Sequence, residues 1–117
     1  MHFRWHLIVI LILGGGALSA SAAASLDLFE CKLPDLERPA RCGTLDVPEN
    51  AAKPDGRRIS INVVVVPASS GSALADPIAP LMGGPGEEAT STAAYFAKQF
   101  AGLLTRRALL LVDQRGT

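Results

Sequence analysis

The sequence has very little histidine, cysteine or aromatic residue, and it carries no excess charge of either sign. Its 117 residues include two His and two Cys, 5% are aromatic, and eleven Lys and Arg balance eleven Asp and Glu. A net charge of zero gives no electrostatic attraction to nucleic acid or to an anionic membrane surface. Two cysteines are too few for a disulfide-framework miniprotein, and a hydrophobic fraction of 49% is too high for a disordered chain. The length allows at most one small domain.

The N-terminal end has the pattern of a secretory signal peptide. Arg4 precedes an apolar run at 7–13, and small residues at 14–25 follow. Two A-x-A sites place cleavage after Ala22 or Ala24. The alternative is a retained membrane anchor, but the three Gly and two Ser that follow the apolar run weaken it as a span. We therefore predict a secreted or periplasmic protein with no stable membrane anchor after cleavage.

Cleavage would leave a mature chain without histidine, because His2 and His6 both lie in the signal segment. Export exposes Cys31 and Cys42 to an oxidising compartment, where they can form a disulfide. On the chain-entropy model, a disulfide that closes a loop of this size stabilises the folded state by about 3 kcal/mol, because it lowers the entropy of the unfolded chain. A metal site would lack ligands, since no histidine remains and no C-x-x-C motif occurs. The sequence therefore predicts a structural disulfide and no metal.

Alternating and continuous apolar segments predict strands in the mature chain. In residues 58–66, polar and apolar side chains alternate at first, and the last residues are apolar on both faces, which predicts a strand. Together with a short strand at 43–47, this segment predicts an antiparallel hairpin. The short apolar run 78–82 predicts a third strand, although Pro80 cannot donate a ladder hydrogen bond. The continuous run 108–112 is typical of a parallel strand that is covered on both faces.

Between the last two predicted strands the apolar period changes to that of a helix. The stripe Ala93, Phe96, Ala97, Phe100, Leu103 and Leu104 predicts an amphipathic helix, with N-cap hydroxyls at 90–92. Strand, glycine turn, helix and strand together predict one right-handed βαβ unit. We therefore expect an α/β fold, in which an antiparallel hairpin precedes one βαβ unit in an incomplete sheet. The expected organisation is a signal peptide at 1–24, a disulfide loop with the first strand and hairpin loop at 25–57, and a partial core at 58–117.

The segment Gly83-Gly84-Pro85-Gly86 lies between a predicted strand and the predicted helix. Glycines permit a close approach to the backbone, proline stiffens the loop, and a helix N-terminus presents free N–H groups. Such a loop suits either a phosphate or a developing oxyanion. The simpler alternative is a tight turn that needs glycine.

The phosphate alternative corresponds to a dinucleotide-binding βαβ unit. Residues 84–89 match G-x-G-x-x-A, and Asp113 ends the next predicted strand as a ribose ligand would. Asp113 lies farther along the chain than the ~20 residues of that fingerprint, and a hairpin precedes the first strand. We consider this alternative the weaker one, and we expect no cofactor.

Three segments, CGTLDVPEN at 42–50, LMGGPG at 81–86 and LVDQRGT at 111–117, occur in an order that resembles one family. The chain is similar to the N-terminal part of secreted α/β-hydrolases of the proline iminopeptidase and tripeptidyl aminopeptidase type. The resemblance covers nearly the whole mature chain but only part of that family's fold. It implies peptide substrates that are hydrolysed from their amino end through an acyl-enzyme.

The resemblance implies that the backbone N–H of Gly84, together with that of Gly83, donates to the oxyanion. It implies structural roles in loops for a further set of residues: Pro85, Gly86, Asp113, Gln114, Arg115 and Gly116. A disulfide between Cys31 and Cys42 would pin the N-terminal segment. The sequence departs from the family where Met82 replaces the usual His, at Pro80, and at Glu87-Glu88.

None of the catalytic triad is present in the mature chain. No G-x-S-x-G pentapeptide occurs, and in this fold the nucleophile precedes the acid and the histidine. We therefore expect a fragment whose nucleophile, acid and base lie beyond Thr117, and which is inactive alone. A second hypothesis is a small secreted binding or structural protein with a hydrolase-like βαβ unit, whose exposed strand is covered by a partner or a second copy.

Overall fold

The computed structural model describes residues 26–117, so the predicted signal peptide lies outside the described residues. The chain forms strands β1 (Phe29–Cys31), β2 (Ala40–Pro48), β3 (Arg58–Val66) and β4 (Leu109–Val112). Helix α1 (Ala93–Gln99) lies between β3 and β4, with 3-10 turns at Thr90–Thr92 and Leu103–Thr105. Among residues 26–117, no helix has the length and apolar character that a membrane span requires.

The strands form one four-stranded sheet in the order β1-β2-β3-β4, and every neighbouring pair is antiparallel. In the β2–β3 hairpin, Arg41 lies opposite Val65 and Pro48 opposite Arg58. The bounds of β3 agree with the alternation in the sequence, whereas β2 begins earlier than predicted, at Ala40. The long β2–β3 ladder is the main structural unit on which the other elements pack.

The predicted α/β fold with a βαβ unit is wrong: the structure is mostly β, an antiparallel sheet with a single short helix. The run 78–82 forms no strand. Within this run only Ile78 pairs, and it forms an isolated parallel bridge with Leu109. The Ile78 N–H donates to the Ala108 carbonyl oxygen, and the Ile78 carbonyl oxygen accepts from the Leu110 N–H, each at 2.8 Å. The next N–H required by a parallel ladder belongs to position 80, where proline has none. Along its other edge, β4 pairs over its whole length with β3 in the antiparallel direction.

Helix α1 is shorter than the apolar stripe suggests. It has seven residues, and the chain continues through a turn at Gly102 into the second 3-10 turn. The predicted hydroxyl caps do not form. Instead Ser91 and Thr92 donate back to the Glu88 and Ala89 carbonyl oxygens, at 2.8 and 2.6 Å. These bonds tighten the 3-10 turn that leads into the helix.

The core lies between α1 and one face of the sheet. Val66, Leu104, Leu109 and Leu111 are the largest fully buried side chains, and the rings of Phe96 and Phe100 stack at 5.6 Å beside them. Each of these aliphatic side chains contributes about 1.5–3 kcal/mol through its removal from water. This packing holds α1 across the β3–β4 end of the sheet.

The other face of the sheet is also aliphatic, and within the described part of the chain no helix covers it. We call it the open face; register places on it Leu45, Val47, Ile59, Ile61, Val63, Val65, Leu110 and Val112. The N-terminal segment crosses it at Gly43, where a Cβ would lie 2.4 Å from the Asp27 carbonyl oxygen. Only glycine permits this approach. Val63, which lies opposite Gly43 in the β2–β3 ladder, is buried.

The predicted disulfide between Cys31 and Cys42 is confirmed, with a Cα–Cα distance of 5.9 Å. It joins β1 to β2 and closes the loop that runs over α1. Within that loop the Leu36 N–H donates to the Leu33 oxygen at 3.3 Å, across a turn with Pro34 and Asp35 at its centre. Asp35 has φ of 57°, a left-handed conformation that aspartate tolerates better than most residues.

Candidate functional site

The segment 83–86, here called the glycine loop, is exposed and lies between the Ile78 bridge and the first 3-10 turn. Gly84 has φ of 136° and Gly86 φ of 77°, values that side chains strongly disfavour. The Glu87 N–H approaches the Gly84 carbonyl oxygen at 3.4 Å. These glycines are therefore required by the backbone path of the loop.

Gly83 and Gly84 differ in the space around them. A Cβ at Gly84 would lie 2.9 Å from both Cδ and Oε2 of Glu87, whereas a Cβ at Gly83 would meet nothing within 4 Å. The Glu87 carboxylate therefore packs against Gly84, the residue predicted to donate to an oxyanion. A negative group in this position opposes a second negative oxygen at the same amide.

Asp113 and Gln114, consecutive residues after β4, hold the chain on both sides of the glycine loop. The Gln114 side-chain amide donates to the Met82 carbonyl oxygen, just before the loop. The Asp113 carboxylate accepts from the Thr90 N–H at 2.8 Å and from the Thr90 hydroxyl at 3.1 Å, just after it. The path from Met82 to Thr90 is therefore fixed at both ends by one turn.

Asp113 is the buried charged residue of the described chain, with 5% of its surface exposed. Besides the two bonds from Thr90, it accepts from the Asn62 side-chain amide at 3.0 Å, and its own N–H donates to the Asn62 carbonyl oxygen at 3.0 Å. A buried carboxylate needs such donors to replace water. Asp113 thus joins β3, β4 and the approach to α1.

The rest of the turn is anchored to the end of β2. The Arg115 guanidinium donates to the carbonyl oxygens of Pro48 and Glu49, at 3.1 and 3.0 Å. Gly116 has φ of 87°, and the Thr117 hydroxyl donates to the Gln114 oxygen at 2.9 Å. Arg115 therefore holds this turn against the end of β2.

The dinucleotide alternative gains no support from these contacts. It needs a βαβ unit, and the sheet is antiparallel. It also needs a carboxylate free to bind a ribose, whereas both oxygens of Asp113 already accept hydrogen bonds.

A shallow hollow of about 340 Å³ lies beside the glycine loop, lined by Met82, Gly86, Glu87, Glu88, Ser91 and Thr92. Two carboxylates in its wall disfavour an anion that remains bound in the ground state. Among residues 26–117, no three His, Cys, Asp or Glu side chains are grouped in a way that could hold a metal ion.

The sequence does not identify Asn62 and Thr90 as the partners of Asp113. They are 51 and 23 residues away from it along the chain, so no local pattern connects them. The position of Asp113, directly after a buried apolar run, indicates that its carboxylate needs a hydrogen-bond donor. It does not indicate which residue supplies that donor.

Comparison with protein-family models gives no match to this chain, and comparison with curated proteins gives none either.

Proposed function

We propose that this chain is the N-terminal, oxyanion-loop portion of an exported serine hydrolase, similar to proline iminopeptidases and tripeptidyl aminopeptidases. The observation that carries the proposal is the glycine loop, held at both ends by Asp113 and Gln114. The three motifs that resemble the family support it further. The confirmed disulfide is consistent with a protein outside the cytoplasm, and the N-terminal pattern favours secretion through a cleaved signal peptide.

In this proposal the Gly84 N–H, with that of Gly83, stabilises the negative oxygen that develops during acyl transfer to a serine. Backbone donors fixed before the reaction stabilise that charge without reorganising, and this is the main contribution of an oxyanion hole. The two anchored ends of the loop supply such fixation. Glu87 must turn away from Gly84 when the charge develops, and its exposed position allows this.

The proposal assigns the nucleophile, the acid and the base to sequence beyond Thr117. The 117 residues contain no G-x-S-x-G, and their only histidines are in the predicted signal peptide. Without nucleophile and base there is no acyl-enzyme. The coding DNA beyond Thr117 should therefore contain G-x-S-x-G and a later His codon, in phase or displaced by a frameshift. Their absence from all three frames would contradict the proposal.

The paired substitutions Gly84→Ala and Gly83→Ala test the role of the loop in the longer product encoded by that frame. Gly84→Ala forces the loop to move, because of its φ and the contact with Glu87, while Gly83→Ala meets open space. We expect Gly84→Ala to lower kcat for amino-end peptide hydrolysis by about 100-fold, the effect of losing one oxyanion donor. Gly83→Ala should change kcat little. Equal activity of the two variants would exclude Gly84 as the donor.

A second candidate function is a small secreted binding or structural protein. The open face favours it, because an aliphatic sheet face normally packs against another layer. A defined dimer in sedimentation would support this candidate, while aggregation of the 117-residue chain would support the fragment.

A further inference from the structure

The turn after β4 contains Gln114, whose side chain reaches the glycine loop directly. The Gln114 side-chain amide donates to the Met82 carbonyl oxygen. Met82 immediately precedes Gly83, so this hydrogen bond is made to the peptide group that carries the Gly83 N–H. Gln114 therefore acts on one of the two N–H groups that the proposed function uses.

The direction of the Gly83 N–H follows from the geometry of that peptide group. The peptide between Met82 and Gly83 is trans, so its C=O and its N–H lie in one plane and point in opposite directions. A hydrogen bond that fixes the Met82 C=O therefore also fixes the Gly83 N–H, which points away from the Gln114 side chain. Gly83 is exposed, and within residues 26–117 its N–H donates to no backbone oxygen. This N–H is held in one direction and remains accessible to a ligand.

The same hydrogen bond makes the Gly83 N–H a stronger donor. A carbonyl oxygen that accepts a hydrogen bond polarises its peptide group, so the N–H of that group carries more positive charge. The Gly84 N–H belongs to the peptide group of the Gly83 carbonyl, which accepts no backbone N–H within the described part of the chain. Gln114 therefore acts on the Gly83 donor and not on the Gly84 donor.

The backbone of Gln114 is itself held on both sides. The preceding Asp113 carboxylate accepts from the Thr90 N–H at 2.8 Å. The following Arg115 donates to two carbonyl oxygens at the end of β2, at 3.1 and 3.0 Å. A side chain can orient another group only as firmly as its own backbone is fixed. The turn supplies this fixed support for Gln114.

We propose that Gln114 is a positioning residue of the oxyanion hole, which orients and polarises the Gly83 N–H before the negative oxygen develops. This inference rests on the proposed hydrolase function and adds a specific role for a residue that the resemblance places only in a structural loop. Gln114 contacts no reacting atom and acts through the peptide between Met82 and Gly83. Because the N–H is oriented in advance, its benefit arises in the transition state and not in the binding of the substrate.

The orientation of the N–H can be measured in the ¹⁵N-labelled 117-residue chain, independently of any activity. Gln114→Met keeps the side-chain length and removes the donor, and Gln99→Met, at an exposed glutamine that ends α1, is the matched control. We expect an order parameter of about 0.85 for the Gly83 amide in the wild type and in Gln99→Met, and below about 0.6 in Gln114→Met. An unchanged order parameter in Gln114→Met would refute the inference and leave the proposed function standing.

Gln114→Glu is the second variant, and it replaces Gln114→Met if that chain does not fold. Its side chain has nearly the same shape, but an ionised carboxylate has no hydrogen to donate to a carbonyl oxygen. At neutral pH it should therefore lower the order parameter of the Gly83 amide as Gln114→Met does. A wild-type value in Gln114→Glu would refute the inference equally.

The longer product encoded by the frame beyond Thr117 tests the consequence for catalysis. Gln114→Met should lower kcat for amino-end peptide hydrolysis by about tenfold and leave KM unchanged, because the affected interaction is made only in the transition state. A peptide trifluoromethyl ketone, whose adduct with the serine carries an oxyanion, should bind this variant about tenfold more weakly. Gln99→Met should match the wild type in both measurements.

The outcomes separate the role of Gln114 from the proposed function. A wild-type kcat in Gln114→Met, in a product whose serine reacts with a fluorophosphonate, would refute the role of Gln114 alone. A raised KM with an unchanged kcat would also refute it, since the hydrogen bond would then support substrate binding. A folded longer product that does not react with the fluorophosphonate would refute the proposed function and the role of Gln114 together.

Discussion

Replacing Asp113 by alanine removes the acceptor on which three side-chain and backbone donors converge. The Thr90 N–H, the Thr90 hydroxyl and the Asn62 amide all donate to this carboxylate, at 2.8, 3.1 and 3.0 Å. The substitution leaves these donors next to a newly emptied space at the junction of β3, β4 and the approach to α1. We therefore expect Asp113→Ala to be among the most destabilising single changes in the chain.

The magnitude follows from the exposure of the donors. The two Thr90 bonds are partly buried and go to a charged group, so each contributes about 1.5 kcal/mol at the low end of the usual range. The exposed Asn62 amide can bind water instead and adds little. The expected loss is about 3 kcal/mol, which corresponds to a fall in Tm of about 12–24 °C for a domain of this size. Asp113→Asn keeps one acceptor oxygen and should lose about half as much.

Thermal unfolding followed by far-UV circular dichroism measures this loss. Asp46→Ala is the matched control, because Asp46 has an exposed carboxylate on the same sheet. That carboxylate accepts a single side-chain hydrogen bond, from the Ser60 hydroxyl at 2.5 Å. Its loss should cost about 0.5 kcal/mol or less, the usual range for surface changes. If Asp113→Ala and Asp46→Ala melt at the same temperature, the three-donor account of Asp113 is refuted.

Three further predictions concern the rest of the fold. Replacing Cys31 and Cys42 together by alanine should destabilise the chain by about 3 kcal/mol, as should reduction of the wild type, and a Tm that is insensitive to reductant would contradict this. A hydrogen bond from Arg107 lowers the pKa of Asp76 below its ordinary value of 3.8. The pair therefore stabilises the fold fully at pH values above 3.8, and this stabilisation is lost as the pH falls through the lowered pKa of the folded state. Carboxyl NMR of the wild type should show a midpoint below that of unfolded Asp, and added salt should raise it; a midpoint at the unfolded value would contradict the pairing. Gly102 has helical φ of −63° and open space around its Cβ position, so Gly102→Ala should stabilise by about 0.4–1 kcal/mol in denaturant melts, and a loss of stability would show that the position is constrained.

Local patterns predicted the parts of the fold that local physics determines. The alternation of polar and apolar residues correctly predicted the bounds of β3. The presence of two cysteines in a chain predicted to be exported correctly predicted the disulfide. The direction of β4 could not be read in this way, because a continuous apolar run does not specify the neighbour with which it pairs. Val112 is 42% exposed, so β4 is not the fully covered parallel strand that its composition suggested.

Pro80 was the residue in the sequence that argued against the predicted third strand. Its missing N–H limits the parallel pairing to Ile78, and the βαβ prediction failed at that point. The glycine loop shows a similar division between local and distant information. Positive φ at Gly84 and Gly86 follows from residue type, but the clamps at Met82 and Thr90 depend on residues distant in sequence.

Labelling with a serine-directed fluorophosphonate tests the central claim most directly. If the proposal is right, the 117-residue chain should remain unlabelled, because its sequence contains no G-x-S-x-G nucleophile motif. The product that continues through the frame beyond Thr117 should be labelled at the serine of G-x-S-x-G. Labelling of the shorter chain, or an unreactive longer product that is folded, would contradict the account.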